Sequence, residues 1–237
     1  MPPRVRPLID GSVKPFFLWC MHCQRRCAGK YTQTTDRPFE IDCHFSGKGG
    51  ILCHRCSGDS TACESVAPGM LGNGWDYSHI LRWAAGFWDM CEDDEDENEW
   101  PEKVRISVAS ALKNLNSAFN TTERLHRRAH ALISDDHEVM ATYRAFVEQR
   151  RRLLDQLSVP DEYEDEKEWD SYESSRLLRL LPGDPGYILW MVALRVFRRA
   201  IEDAINNHVV LLGLDEAKIC EMGDRILGLF PVECEEV

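Results

Sequence analysis

Cys20-Met21-His22-Cys23 and Cys53-His54-Arg55-Cys56 are the two stretches on which the reading of this chain turns. Each holds two thiols three positions apart, so one tight turn can present both sulfurs to a tetrahedral ion while backbone amides stabilise their charge. The surrounding pattern is Cys20-x2-Cys23-x3-Cys27-x15-Cys43-x9-Cys53-x2-Cys56-x6-Cys63, seven of the ten cysteines. Cys91, Cys220 and Cys234 are scattered outside it. Paired C-x2-C units in one short segment predict a metal site. Thiolate donors in tetrahedral, redox-silent coordination predict Zn2+. Large aliphatics are few here, with Ile41, Ile51 and Leu52 in the middle, so the ion is expected to contribute directly to folding.

Working outward, the N-terminal residues hold two early arginines and no continuous apolar stretch of the length a secretory signal needs. With no route to an oxidising compartment, dense cysteines predict metal binding over disulfides. The most apolar stretch, Tyr187 to Leu194, stops at Arg195, short of the roughly 18 residues of a membrane span. The expectation is a soluble intracellular protein, not secreted and without membrane contact. Charge divides unevenly. Residues 1–70 carry nine Lys/Arg and six Asp/Glu, whereas residues 71–237 carry 19 and 34. A polyanion contact, where there is one, belongs to that basic head.

The organisation predicted is a flexible lead-in (1–15), the cysteine module (16–70), a short helix (71–91), an acidic linker (92–100) and a helical domain (101–237) with an acidic loop (161–173). In the short helix Ile80, Leu81, Trp83, Ala84, Phe87 and Trp88 mostly share one face. Glu92 to Glu97 is a run of like charge, expected to be solvated. From Val104, positions Val108, Ala111, Leu115, Ala118, Thr122, Leu125, Ala129 and Leu132 follow heptad spacing. Ser134-Asp135-Asp136 is an N-cap for a second helix whose seam is Val139, Tyr143, Phe146, Arg150, Leu153 and Leu157. These two helices form a hairpin in the simplest picture, or else residues 104–157 offer a seam to a homodimer or a partner helix. Two further helices are expected near Tyr187–Leu212 and Asp215–Leu229. The fold class is mainly α, a small zinc-stapled cysteine module followed by a helical hairpin or bundle.

Spacing leaves the ligand set open. Cys27 competes with Cys43 as a third ligand, and two separate sites could each draw on His22, His44 or His54. With Cys27 set aside, the order C-x2-C…C, C-x2-C…C resembles the fungal-type binuclear zinc cluster, and more closely a group of small fungal proteins with a long first gap and a helical tail. The resemblance covers residues 18–70. It implies that Cys20, Cys23, Cys43, Cys53, Cys56 and Cys63 hold two zinc ions, with two thiolates bridging. It further implies a nuclear, transcription-factor-like regulator that contacts double-stranded DNA through basic residues after the first pair, here Arg25, Arg26 and Lys30, with Arg55 beside the second. The alternative is a zinc-stapled protein–protein interaction module, in nucleus or cytoplasm, that touches no nucleic acid.

His126 and His130 share a helical face but lack the Glu of a catalytic zinc motif, and arginines flank them, so they read as a solvated basic face. No Gly-rich phosphate loop, nucleophile elbow or acid–base carboxylate pair is evident. Closed thiolate sites leave no open coordination position. No enzyme activity and no small-molecule substrate are expected.

Overall fold

The structure, a computed structural model, describes residues 12–13, 19–32, 37–46, 52–89, 102–132, 136–154 and 176–212. Most of the lead-in, the acidic runs 92–100 and 161–173, and the helix expected at 215–229 lie outside the described residues. What is described is mainly helical, with the cysteine cluster near the N-terminus and the helices after it, as the sequence predicts. Helices α1 (Met21–Lys30) and α2 (His54–Gly58) belong to the cysteine segment; α3 (Leu71–Asp89), α4 (Glu102–Ala129), α5 (His137–Leu154) and α6 (Tyr187–Leu212) follow. A two-residue antiparallel pair, β1 (Ser12–Val13) with β2 (Phe45–Ser46), closes one side of the cysteine segment.

α4 is the axis of the molecule. Its buried positions Val104, Val108, Ala111, Leu115, Phe119, Thr122 and His126 advance by fours and threes, but the stripe departs from the predicted heptad. After Leu115 it passes through Phe119 and His126 rather than Ala118 and Leu125, and Leu125 is exposed. A straight helix of 3.6 residues per turn drifts against a strict 3.5 repeat, and the larger side chains follow the drift. The stripe is covered by α6, running antiparallel to α4, and not by α5. Trp190 meets Phe119 edge to face at 5.4 Å, and a Cβ on Gly186 would fall 2.9 Å from the Thr122 methyl.

α5 touches α4 only near the connection between them. There Asp136 Oδ1 caps α5 by accepting the Glu138 N–H at 2.8 Å. Tyr143 and Val147 form a small second core with Leu178. Arg150, the charged interruption in the predicted seam, forks onto Asp184 at 2.5 and 2.7 Å.

α3 starts at Leu71, the first residue of the stretch read as the short helix. Gly72-Asn73-Gly74 reads as loop sequence, yet it is helical because residues 177–181 lie across it. Leu178 O accepts the Gly72 N–H at 2.8 Å and Asn73 Oδ1 accepts the Leu180 N–H at 3.0 Å. A Cβ at Gly72 would sit 2.4 Å from Arg179 Cγ, so only glycine allows this approach. Arg179 then grips Asp76 with both guanidinium arms, at 2.8 and 3.0 Å.

The cysteine segment and the helices share a core. Trp19, next to the first metal-binding candidate, packs edge to face on Tyr77 and Phe119 with centroids 5.7 and 5.8 Å away. Tyr77 stacks on Phe119 at 4.5 Å. Two polar edges of this cluster are hydrogen-bonded as well: Trp19 donates to Ser78 Oγ at 3.0 Å, and Gln24 to the Tyr77 hydroxyl at 3.2 Å. No helix among the described residues is long and apolar enough to cross a membrane.

Candidate metal centre

Two short pieces of similar geometry build the site. Cys20 and Cys53 each take the N-cap position of a helix in extended conformation, at φ −79°, ψ 130° and φ −66°, ψ 159°. From there the chain turns into helix, so Cys23 and Cys56 return beside their partners within one turn. The third cysteine of each half accepts the backbone N–H of the first: Cys20 N–H to Cys43 Sγ at 3.3 Å, and Cys53 N–H to Cys63 Sγ at 3.1 Å. Cys56 N–H also reaches Cys53 Sγ at 3.4 Å. The N–H on Cys43 favours its thiolate, as the start of a ten-residue helix does for Cys20, and the N–H on Cys63 acts the same way against its burial.

Four sulfurs, those of Cys20, Cys23, Cys53 and Cys56, lie within 4.8 Å of one another, and all four residues are buried. Cys20 Sγ is 3.5 Å from Cys56 Sγ, and Cys23 Sγ is 3.6 Å from Cys53 Sγ. A zinc tetrahedron with Zn–S bonds of about 2.3 Å has edges of about 3.8 Å, so the donor set fits that ion. Cys43 and Cys63 complete a six-sulfur group. Cys23 and Cys43 contact each other, Cys20 and Cys53. Cys56 contacts Cys20, Cys53 and Cys63. Cys20 and Cys53 therefore belong to both halves.

Crowding couples the thiols to one another. A hydrogen bond from the Cys23 thiol, opposed by burial, holds Cys20 down to about 3, and the same thiol brings Cys43 down to about 7. Cys23, bonded to both, is pushed far up in turn. Burial raises Cys56 and takes Cys63 up to about 11. Protons shared among sulfurs are a poor substitute for a divalent ion, which would let every donor ionise at once.

The other candidate ligands stand apart. Cys27 lies outside the group, its sulfur 4.0 Å from an Arg55 guanidinium nitrogen. His22 Nδ1 is 4.0 Å from Cys56 Sγ, with its other nitrogen 3.8 Å from Glu64. His44 faces Asp42 at 3.1 Å. His54 Nδ1 is buried and has no hydrogen-bond partner.

The basic residues read from the sequence are placed separately. Arg25 points into the body, 2.5 Å from Glu64 and 2.9 Å from Glu123, a carboxylate with no exposed side-chain surface. Arg127 on α4 binds the same two carboxylates and donates to Ser65 O at 2.6 Å. Arg26 pairs with Asp59 at 3.3 Å and Arg55 with Asp42 at 2.7 Å. Lys30 is exposed in the last turn of α1. The three arginines thus engage three different sets of carboxylates.

Sequence reasoning passed over one buried polar site. His126, taken as part of a solvated face, is fully buried. Its Nε2 lies 3.0 Å from the Tyr143 hydroxyl, which itself accepts the Gly69 N–H at 2.9 Å. Nε2 and the hydroxyl share that one hydrogen bond, while His126 Nδ1 is buried with no partner. Burial, aided by His130, holds its pKa down to about 4. Gly69, where a Cβ would come within 3.0 Å of His126 Nε2, was the available signal.

Compared with models of known protein families, with curated proteins and with solved structures, the chain has no match.

Proposed function

We propose that this chain is a zinc-stapled interaction protein in which six thiolates hold two zinc ions. Cys20, Cys23, Cys43 and Cys53 bind one, and Cys20, Cys53, Cys56 and Cys63 the other, with Cys20 and Cys53 bridging. Cys27 is the spare thiol. The zinc supplies folding free energy and fixes α1; it performs no chemistry on a substrate. The fungal-type cluster resemblance is kept for the metal site alone.

The observation that carries this reading is Arg25. In a DNA-contacting module the helix after the first cysteine pair offers its cations to phosphate, whereas here Arg25 is committed to Glu64 and Glu123, and Trp19, Met21, Cys23 and Gln24 are buried in the shared core. Phosphate binding through the cysteine module needs several of the module's own cations on one face, and Arg26 and Arg55 point to other carboxylates. The working surface is then the helical body, held in shape by its zinc staple.

Metal analysis of the natively purified chain is the test, combined with binding to random duplex DNA over a salt series. Two zinc ions per chain and no salt-sensitive DNA binding are expected. One zinc or none overturns the cluster. Tight duplex binding that collapses with salt overturns the interaction reading and favours the nuclear regulator.

A further inference from the structure

Between α1 and α4 runs a groove of about 720 Å3 with one wall from the cysteine module and the other from the helical body. Arg25 lines it from α1, and Lys113, Arg124, Arg127 and Arg128 line it from α4. Glu64, at its edge, and buried Glu123 hold Arg25 and Arg127 in position. Lys113, Arg124 and Arg128 are exposed and have no carboxylate partner among the described residues. Five cations thus meet two carboxylates on a chain whose net charge is −12. Asn120 lines the same groove; it is 8% exposed, and its Oδ1 has no hydrogen-bond partner.

We infer that this groove receives an acidic peptide segment of a partner protein, its carboxylates on Lys113, Arg124 and Arg128 and a backbone N–H on Asn120. The inference rests on the zinc-stapled reading, because the staple holds the α1 wall in place.

Three features favour a peptide over a nucleic acid. A DNA phosphodiester backbone offers acceptors only and would leave the Asn120 oxygen unmet, whereas every non-proline peptide unit brings an N–H. The lining holds no aromatic side chain on which a base could stack. A duplex would continue past the groove over a body rich in carboxylates, while a short segment ends with the cations that hold it. The length also suits: Lys113 to Arg128 rises about 22 Å along α4, which six or seven extended residues span at about 3.3 Å each.

The test is fluorescence anisotropy of the zinc-loaded full chain with a labelled octapeptide of alternating glutamate and aspartate. Binding that weakens with salt is expected, with none by the Gln/Asn counterpart. The triple variant K113E/R124E/R128E should bind about tenfold more weakly or worse, and N120A several-fold more weakly. Unchanged far-UV circular dichroism and zinc content in the triple variant show that its fold is retained, and R128E alone serves as the milder substitution. Three outcomes overturn the inference: no peptide binding by the wild type, equal binding by the triple variant, or tighter binding of a DNA duplex to the same residues. Self-association that the triple variant abolishes, with no external peptide bound, would assign the groove to a second copy's acidic run and overturn it too. A chain that holds two zinc ions but ignores the peptide sinks this inference alone; a chain without zinc sinks the proposed function.

Discussion

Cys20 and Cys53 differ from their four neighbours in belonging to both halves of the sulfur group, and substitution separates the three kinds of cysteine. Cys20→Ser or Cys53→Ser is expected to lose both zinc ions, Cys43→Ser or Cys63→Ser one, and Cys27→Ser none, as read by native mass spectrometry of the purified chains. Zinc loss from Cys27→Ser would instead return Cys27 to the ligand set. His126 carries a second prediction at this scale. With the folded pKa at about 4 and an ordinary value near 6.5 in the unfolded chain, its contribution is complete above about pH 6.5. It falls away as pH drops towards 4, because the unfolded chain takes up a proton that the folded chain refuses. The slope approaches about 1.4 kcal/mol per pH unit. Denaturant midpoints at pH 7.5 and 5 should therefore fall further for the wild type than for His126→Gln. An identical fall in both would assign the acid sensitivity to the zinc thiolates alone.

At the scale of elements, the approach of α6 to α4 depends on Gly186, which has φ +90° and Thr122 against its α-carbon. Gly186→Ala must bear both a left-handed backbone and a clash, so a loss of roughly 1–3 kcal/mol is expected in denaturant unfolding. Gly183, at φ +93° with open space around it, is the control: Ala there meets the backbone cost alone and should lose less. Helix content was legible in the sequence because apolar side chains repeat along α4 and α6 with few interruptions. The partner of α4 was not. Heptad spacing shows that a stripe exists but not what covers it, and the choice of α6 over α5 rests on Trp190, Phe119 and Gly186, residues far apart in sequence. The sulfur group was legible as spacing, since two C-x2-C pairs need only local turns. The destination of Arg25 was hidden for the opposite reason: Glu123 lies 98 residues away on another helix.

For the molecule as a whole, Trp19 and the ion pairs of Arg25 tie the sulfur group to helices that hold none of its cysteines. Chelation of zinc is accordingly expected to lower the melting of the entire fold, with helical circular dichroism and tryptophan fluorescence lost in one shared transition. Survival of the helical signal at its original temperature after complete zinc removal would show two independent units. Trp19→Ala should reach a similar end without touching a ligand, at a cost of about 3–5 kcal/mol.

The same shared core sets an order of events during synthesis. All six sulfurs of the group have been made by residue 63, so the ion can be captured while most of the chain is still missing. The surface that covers Trp19, however, comes from Tyr77 and Phe119, and both of those rings are backed in turn by Trp190. At about 5–20 residues per second, the 127 residues from Glu64 to Trp190 leave the cysteine module bare-sided on the ribosome for roughly 6–25 seconds. During that interval Trp19 faces whatever chaperone or neighbouring chain is at hand, so the yield of folded protein depends on how fast α4 and α6 arrive.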